Sequence, residues 1–282
     1  MSNQQQYVVS KKWLLARLYE PDLVIVDCRF QLGKPASGQE AYTESHIPRA
    51  VYVDLERDLS APIGEHGGRH PLPDVETLAE RLGRAGISRE SRVVAYDDQG
   101  GAMASRLWWV LRYLGHEQAY VLEEGFSAWV RDGYPTTAEQ PVVIPTTFAA
   151  SPRTVMLVGV ERVREVVARG GAVLIDSRDP ERYRGEVEPL DRKAGHIPGA
   201  INRVWSAGRR EDGTWKSPEE QRARFAELPQ DGEIIVYCGS GVTATPNVLA
   251  LQEAGFTNVK LYGGSWSDWI SYSENPIATG EE

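Results

Sequence analysis

The chain has 282 residues, with 31 Lys and Arg against 40 Asp and Glu, and 41% of its residues are hydrophobic. This length suits two globular domains of about 140 residues each, and a formal charge of −9 argues against the basic face that a nucleic-acid binder needs. No apolar run reaches membrane-span length, and two widely separated cysteines, Cys28 and Cys238, make no disulfide framework.

In chain order, Met1-Ser2-Asn3-Gln4-Gln5-Gln6 lacks the charged-then-apolar pattern of a signal peptide, so a reducing compartment, the cytoplasm, is expected. Val24-Ile25-Val26-Asp27-Cys28-Arg29 reads as a buried strand, and Cys28, with no glycine near it, as a structural cysteine. His46-Ile47-Pro48-Arg49-Ala50 reads as a turn. In His66-Gly67-Gly68-Arg69-His70 two histidines stand four apart, but the glycines and Pro71 forbid the helix that a zinc site of this spacing needs, and no metal is expected. Val93-Val94-Ala95-Tyr96 is a second strand, followed by Asp97-Asp98-Gln99-Gly100 and a helical pattern ending at Gly115. Phe126-Ser127-Ala128-Trp129 comes next, and Pro135, Pro141, Pro145 and Pro152 then mark an extended linker.

The same series then returns. Val173-Leu174-Ile175-Asp176-Ser177-Arg178, His196-Ile197-Pro198-Gly199-Ala200, Ile234-Ile235-Val236-Tyr237, a helical stretch ending at Gly255, and Trp266-Ser267-Asp268-Trp269 repeat the first half. The period is domain-sized, which indicates a duplication with domains over 1–138 and 154–282 and a linker over 139–153. In the second copy strands are expected at 173–176, 233–237 and 258–262, with helices near 159–169, 218–227 and 246–254. Strands apolar on both faces, alternating with helices, imply an α/β fold: in each domain a mostly parallel sheet with helices on both faces. Ligands on such sheets sit beyond the carboxyl ends of the strands, which points to the segment after Tyr237.

That segment reads Cys238-Gly239-Ser240-Gly241-Val242-Thr243-Ala244 and runs into a helix, with Thr243 or Thr245 as N-cap and Pro246 in the first turn. The glycines let the loop curl around the sulfur. Its main-chain N–H groups and the helix N-terminus form an anion-binding nest that favours thiolate over thiol and accommodates a persulfide.

The loop at 238–244, the two His-Ile-Pro motifs and the Trp-Ser-Asp-Trp ending resemble the tandem-domain rhodanese sulfurtransferases, from Tyr7 to Ala278. The resemblance implies a catalytic C-terminal domain and a noncatalytic N-terminal one, in which Asp97 takes the position of Cys238. It implies that sulfane sulfur from a small anionic donor, 3-mercaptopyruvate or thiosulfate, passes through a Cys238 persulfide to a thiol, cyanide or thioredoxin-like acceptor. The Gly-Ser-Gly loop favours mercaptopyruvate. Gly239, Gly241, Val242 and Thr243 would hold the sulfur anion by their main chain, and Arg184 and Arg192 the donor's carboxylate. Ser240 and His70 would form a relay with an acid at Glu56 or Asp58. No metal, organic cofactor, nucleic acid or membrane is implied.

Two other functions on this fold fit less well. A phosphatase of the cell-division-cycle type needs five residues between its cysteine and a phosphate-holding arginine, whereas the position six beyond Cys238 is Ala244. A noncatalytic binding module of this fold usually lacks the cysteine, which is retained here.

Overall fold

The apolar β-branched runs become the middle strands of two sheets in the computed structural model, which describes residues 6–281. The first domain runs β1 (Val8–Val9), α1 (Lys11–Arg17), β2 (Leu23–Asp27), α2 (Ser37–Glu44), β3 (Val51–Tyr52), α3 (Val75–Arg84), β4 (Arg92–Tyr96), α4 (Ala102–Tyr113), β5 (Ala119–Leu122) and α5 (Gly125–Arg131). The second runs β6 (Leu157–Val158), α6 (Val160–Arg169), β7 (Val173–Asp176), α7 (Pro180–Arg184), β8 (Ala200–Asn202), α8 (Pro218–Arg224), β9 (Ile234–Tyr237), α9 (Thr245–Glu253), β10 (Val259–Tyr262) and α10 (Ser265–Trp269).

Each sheet has five parallel strands, in the orders β1-β5-β4-β2-β3 and β6-β10-β9-β7-β8. Asp27 stands opposite Tyr96, and Asp176 stands opposite Tyr237 in the same register of the second sheet. The central strands β4 and β9 are buried on both faces, so Asp97 and Cys238 emerge from equivalent places at their carboxyl ends.

The helices that follow these two residues form the domain interface. Helices α4 and α9 pack on each other, and one apolar core runs through both domains. Each is buried nearly all round, with no clean polar face turned to solvent, and its polar side chains such as Arg106 and Asn247 are held by hydrogen bonds. The start of α9 differs from the expectation of a threonine N-cap. Ala244 holds that position, and the Thr245 hydroxyl donates back to the Val242 carbonyl within the first turn.

The proline-rich stretch between the domains has no helix or strand from 138 to 153, yet it is tied down. Thr146 N–H donates to Gly83 O, Ser151 N–H to Leu114 O and Arg153 N–H to Tyr113 O, so it lies along the first domain. His46 and His196 are buried at the repeated turns. Each brings Nδ1 to a carbonyl, of Tyr42 and Tyr183, at 2.7 Å and stacks on that tyrosine's ring. Among the described residues no helix is long and apolar enough to cross a membrane, and no group of three potential metal ligands gathers.

Candidate active site

The two loops after β4 and β9 are the same structure with different contents. Phe126 N–H donates to Asp97 O in the first, and Trp266 N–H to Cys238 O in the second. Gly100 and Gly241 are both left-handed, at φ +70° and +77°, and a Cβ at Gly241 would collide with the Gly263 carbonyl oxygen. In the first loop the Asp97 carboxylate fills the nest. It accepts the N–H groups of Gln99, Gly101, Met103 and Ala104 at 2.8–2.9 Å. Burial nevertheless pushes its carboxyl pKa up, because a carboxylate out of water is costly even with four donors.

In the second loop the corresponding N–H groups of Ser240, Val242 and Ala244 have no protein acceptor among the described residues, and neither do those of Gly239, Gly241 and Thr243. Unpaired buried donors cost about 1–3 kcal/mol each, so this nest favours an anion. Cys238 is buried and heads this loop at the end of β9, where its own N–H donates to Ser265 Oγ at 3.1 Å. Cys28 is also buried, but among Asp27, Asp97, Asp58 and Asp54. Burial first, and then those carboxylates, push its thiol pKa well above the usual range.

Above the Cys238 loop lies a cavity of about 110 Å3, lined by Gly239, Ser240, Val242 and Thr243 and, across the interface, by Arg69, His70, Met103, Phe30 and Leu55. Of the loop residues singled out from the sequence, Cys238, which is 1% exposed, and Gly241 are not on this wall. Gly241 lies under the first domain, where its carbonyl accepts Arg106 Nη1 at 2.9 Å.

Ser240 and His70 meet as expected, with Oγ and Nδ1 2.7 Å apart. Burial, with lesser contributions from Arg106 and Arg69, pushes the His70 pKa down to about 3, so the ring is neutral near pH 7. Between the two candidate acids, Glu56 is the one facing Nε2, with Oε1 at 4.0 Å. With a neutral ring that contact is not an ion pair; it favours the proton on Nε2 and leaves Nδ1 to accept the Ser240 hydroxyl. Asp58 instead accepts the Asp54 N–H and pairs with Arg57.

The arginines correct the expectation from the sequence. Arg182, not Arg184, lines the cavity. The short helix α7, started by Pro180 and closed by left-handed Gly185, decides which: two residues along a helix turn the side chain by about 200°. Arg184 therefore points away and pairs with Glu186 and Glu281. Arg192 is displaced as well. It lines a separate groove of about 620 Å3 beside the cavity, with Leu190, Asp191 and Lys193.

Two residues escaped the sequence reading. Arg69 reaches the loop from the first domain. Arg106, fully buried in α4, donates to the carbonyls of Gly241, Leu59 and His70, and burial pushes its pKa down to about 10. The available signal for Arg106 was a cation in the middle of a largely apolar run, Ala102-Met103-Ala104-Ser105-Arg106-Leu107-Trp108-Trp109.

Comparison with known proteins agrees with this geometry. The rhodanese-like domain model matches twice, at residues 10–132 and 160–272. A probable 3-mercaptopyruvate sulfurtransferase of Pseudomonas aeruginosa is 44% identical over 280 residues, covering 97% of this chain and 98% of the relative. The thiosulfate sulfurtransferase of Rattus norvegicus is 34% identical, covering 93% of this chain and 91% of the relative. The crystal structure of SseA from Escherichia coli, a 3-mercaptopyruvate sulfurtransferase, superposes with a TM-score of 0.80 at 34% identity and covers 93% of this chain and all of that one. With both halves matched by the domain model and full-length relatives at this identity, the chain belongs to the rhodanese family.

Proposed function

We propose that this protein is a sulfurtransferase that carries sulfane sulfur from 3-mercaptopyruvate or thiosulfate to a thiol or cyanide acceptor on Cys238. The Cys238 thiolate attacks the donor's outer sulfur, forming the new S–S bond. With thiosulfate the S–S bond of the donor breaks and sulfite leaves with the electron pair. With mercaptopyruvate the C–S bond breaks and the enolate of pyruvate leaves, then takes a proton. The acceptor thiolate next attacks the outer sulfur of the persulfide and returns Cys238 as thiolate, which gives ping-pong kinetics. Ser240, on the cavity wall beside neutral His70, can turn its hydroxyl to hydrogen-bond the leaving enolate oxygen, and the enolate then takes its proton from water. Arg182 faces the cavity as the holder of the donor's anionic head.

One observation carries this reading: the main-chain amides of 239–244 lack a protein acceptor among the described residues, while the equivalent amides of Gln99, Gly101 and Met103 in the first domain hold a carboxylate. Intact-mass measurement after exposure to each donor without acceptor tests it. The wild type and Cys28→Ser gain the mass of one sulfur atom and Cys238→Ser gains none. No adduct on the wild type, or equal loss in both variants, would overturn the reading. Comparing kcat/KM for the two donors then identifies the preferred one.

A further inference from the structure

The loop around Cys238 has no cation of its own, yet two guanidinium groups reach it from outside. A Cβ built on Gly239 would lie 2.8 Å from Arg69 Nη2, and 3.5 and 3.6 Å from Arg182 Nη2 and Nη1. Arg182 comes from α7 of the catalytic domain and Arg69 from the segment beside His70 in the other domain. One carboxylate joins them. Asp191 accepts Arg69 Nε at 2.9 Å and Nη2 at 3.3 Å, and its Oδ2 accepts Arg182 Nη2 at 3.1 Å.

The acids lie behind and the cations in front. The side chains of Asp191 and of Glu188, which also holds Arg182, are 3% and 4% exposed, against 24% for Arg69 and 15% for Arg182. Neither Arg69 Nη1 nor Arg182 Nη1 has a protein acceptor among the described residues. The main chain delivers Arg69 firmly. Its N–H donates to Ser267 Oγ, and the preceding Gly68 is left-handed where a Cβ would strike the Gly264 carbonyl.

We propose that Arg69 is a donor-selecting residue: a guanidinium supplied by the noncatalytic domain that receives the donor's anionic head together with Arg182, and that favours a donor carrying two negative charges, such as thiosulfate, over a monocarboxylate. This rests on the sulfurtransferase reading but goes further, because that reading needs only one anion holder in the catalytic domain. A second fixed guanidinium adds a charge-assisted contact that a dianion uses more fully than a monoanion does.

The test compares Arg69→Met and Arg69→Lys with the parent. In Cys238→Ser protein, which cannot turn over, calorimetry reads the Kd for thiosulfate with and without each Arg69 substitution. In Cys238-containing protein, steady-state kinetics reads KM and kcat for thiosulfate and for 3-mercaptopyruvate. Arg69→Met is expected to weaken thiosulfate binding and raise its KM by about 10- to 100-fold, the size of one lost charge-assisted hydrogen bond, with kcat and the mercaptopyruvate KM changed by less than about threefold. Arg69→Lys, which keeps the charge near Asp191 but not the planar fork, falls between and guards against a folding defect in the Met variant. Unchanged thiosulfate binding, or equal loss for both donors, overturns the assignment. Absence of a Cys238 adduct would instead overturn the sulfurtransferase reading, while the Kd comparison still judges Arg69.

Discussion

Replacing Asp97 by asparagine tests whether the first loop is a nest closed from within. The substitution preserves shape, so no cavity opens. One side-chain oxygen still accepts two of the four N–H groups, but the other becomes an amide nitrogen that turns donors toward the remaining two. Two buried amides left unpaired cost about 2–6 kcal/mol together. Relief of the buried charge, whose cost shows in the raised carboxyl pKa, offsets part of this. A net loss of about 2–4 kcal/mol corresponds to a Tm drop of about 5–15 °C for a protein of this size, read by circular dichroism at pH 7. The gap widens on acidification. A carboxyl whose folded pKa lies above its unfolded value contributes stability below the unfolded pKa and loses it as pH rises through the folded one, and asparagine does neither. Asp98→Asn, at an exposed site whose carboxylate accepts the Ser127 N–H and hydroxyl, serves as the control and costs under about 1 kcal/mol. Equal melting of wild type, Asp97→Asn and Asp98→Asn would refute the nest.

Ser240→Ala lowers kcat/KM for mercaptopyruvate by about 100-fold while changing thiosulfate turnover less than about threefold, because the enolate leaving group needs a hydrogen-bond donor and sulfite, already a stable anion, does not; steady-state assays with each donor read the split. Buried His70 and Glu253 tilt stability in opposite directions between pH 5 and pH 7, as measured by denaturant titration. The depressed pKa of His70, about 3, removes stability as pH falls below the unfolded value of 6.5, so His70→Asn loses less than the wild type on acidification. Glu253 accepts the Tyr7 and Val8 N–H groups and is pushed up to about 7 by burial, so it removes stability as pH rises from 4.5 through 7. Glu253→Gln, which keeps the acceptor oxygen, is more stable than the wild type at pH 8 by about 3 kcal/mol. Arg106→Met frees the Gly241, Leu59 and His70 carbonyls and lowers kcat about tenfold with both donors, while loss of a buried charge keeps the stability change within about 2 kcal/mol; kinetics and thermal melts check the pair.

What the sequence showed and what it hid follow from range. The duplication, the central strands and the loop at 238 are contiguous patterns, and the strands at 173–176 and 259–262 lie where their β-branched runs stand. The pairing of His70 with Ser240 was legible only through family resemblance, because 170 positions separate them. Arg184 was chosen over Arg182 because an Arg-Tyr-Arg triplet does not say which arginine faces the ligand. Only the phase of α7, fixed by Pro180 and Gly185, decides that. Arg69 and Arg106 act on the far side of a domain interface, and nothing local to either residue marks which loop it meets. The sequence marks an extended linker but not its path along the first domain, because its main-chain bonds go to Gly83, Leu114 and Tyr113, distant in sequence.

These contacts explain why a half without a reactive cysteine stays joined to one that has it. Each loop is roofed by the other domain: the first by Arg209 and Trp215 against Gly100 and Gly101, the second by Arg69 over Gly239 and His70 against Ser240. The architecture is thus close to two-fold, and the difference between the halves is chemical. Asp97 fills its own nest with a tethered anion and leaves nothing to bind, whereas a cysteine side chain carries no such group and leaves its nest open for one. Once the first nest is closed, its domain is free to become wall. It contributes the histidine that meets Ser240, one of the two guanidiniums at the lip, the arginine that holds the Gly241 carbonyl, and the apolar side of the cavity in Phe30, Leu55 and Met103. Helix α9, which leads directly from the reactive loop, is buried nearly all round and is covered by α4. Cutting the chain between the halves would expose that helix as well as unroof the sulfur, so the catalytic unit is the pair of domains.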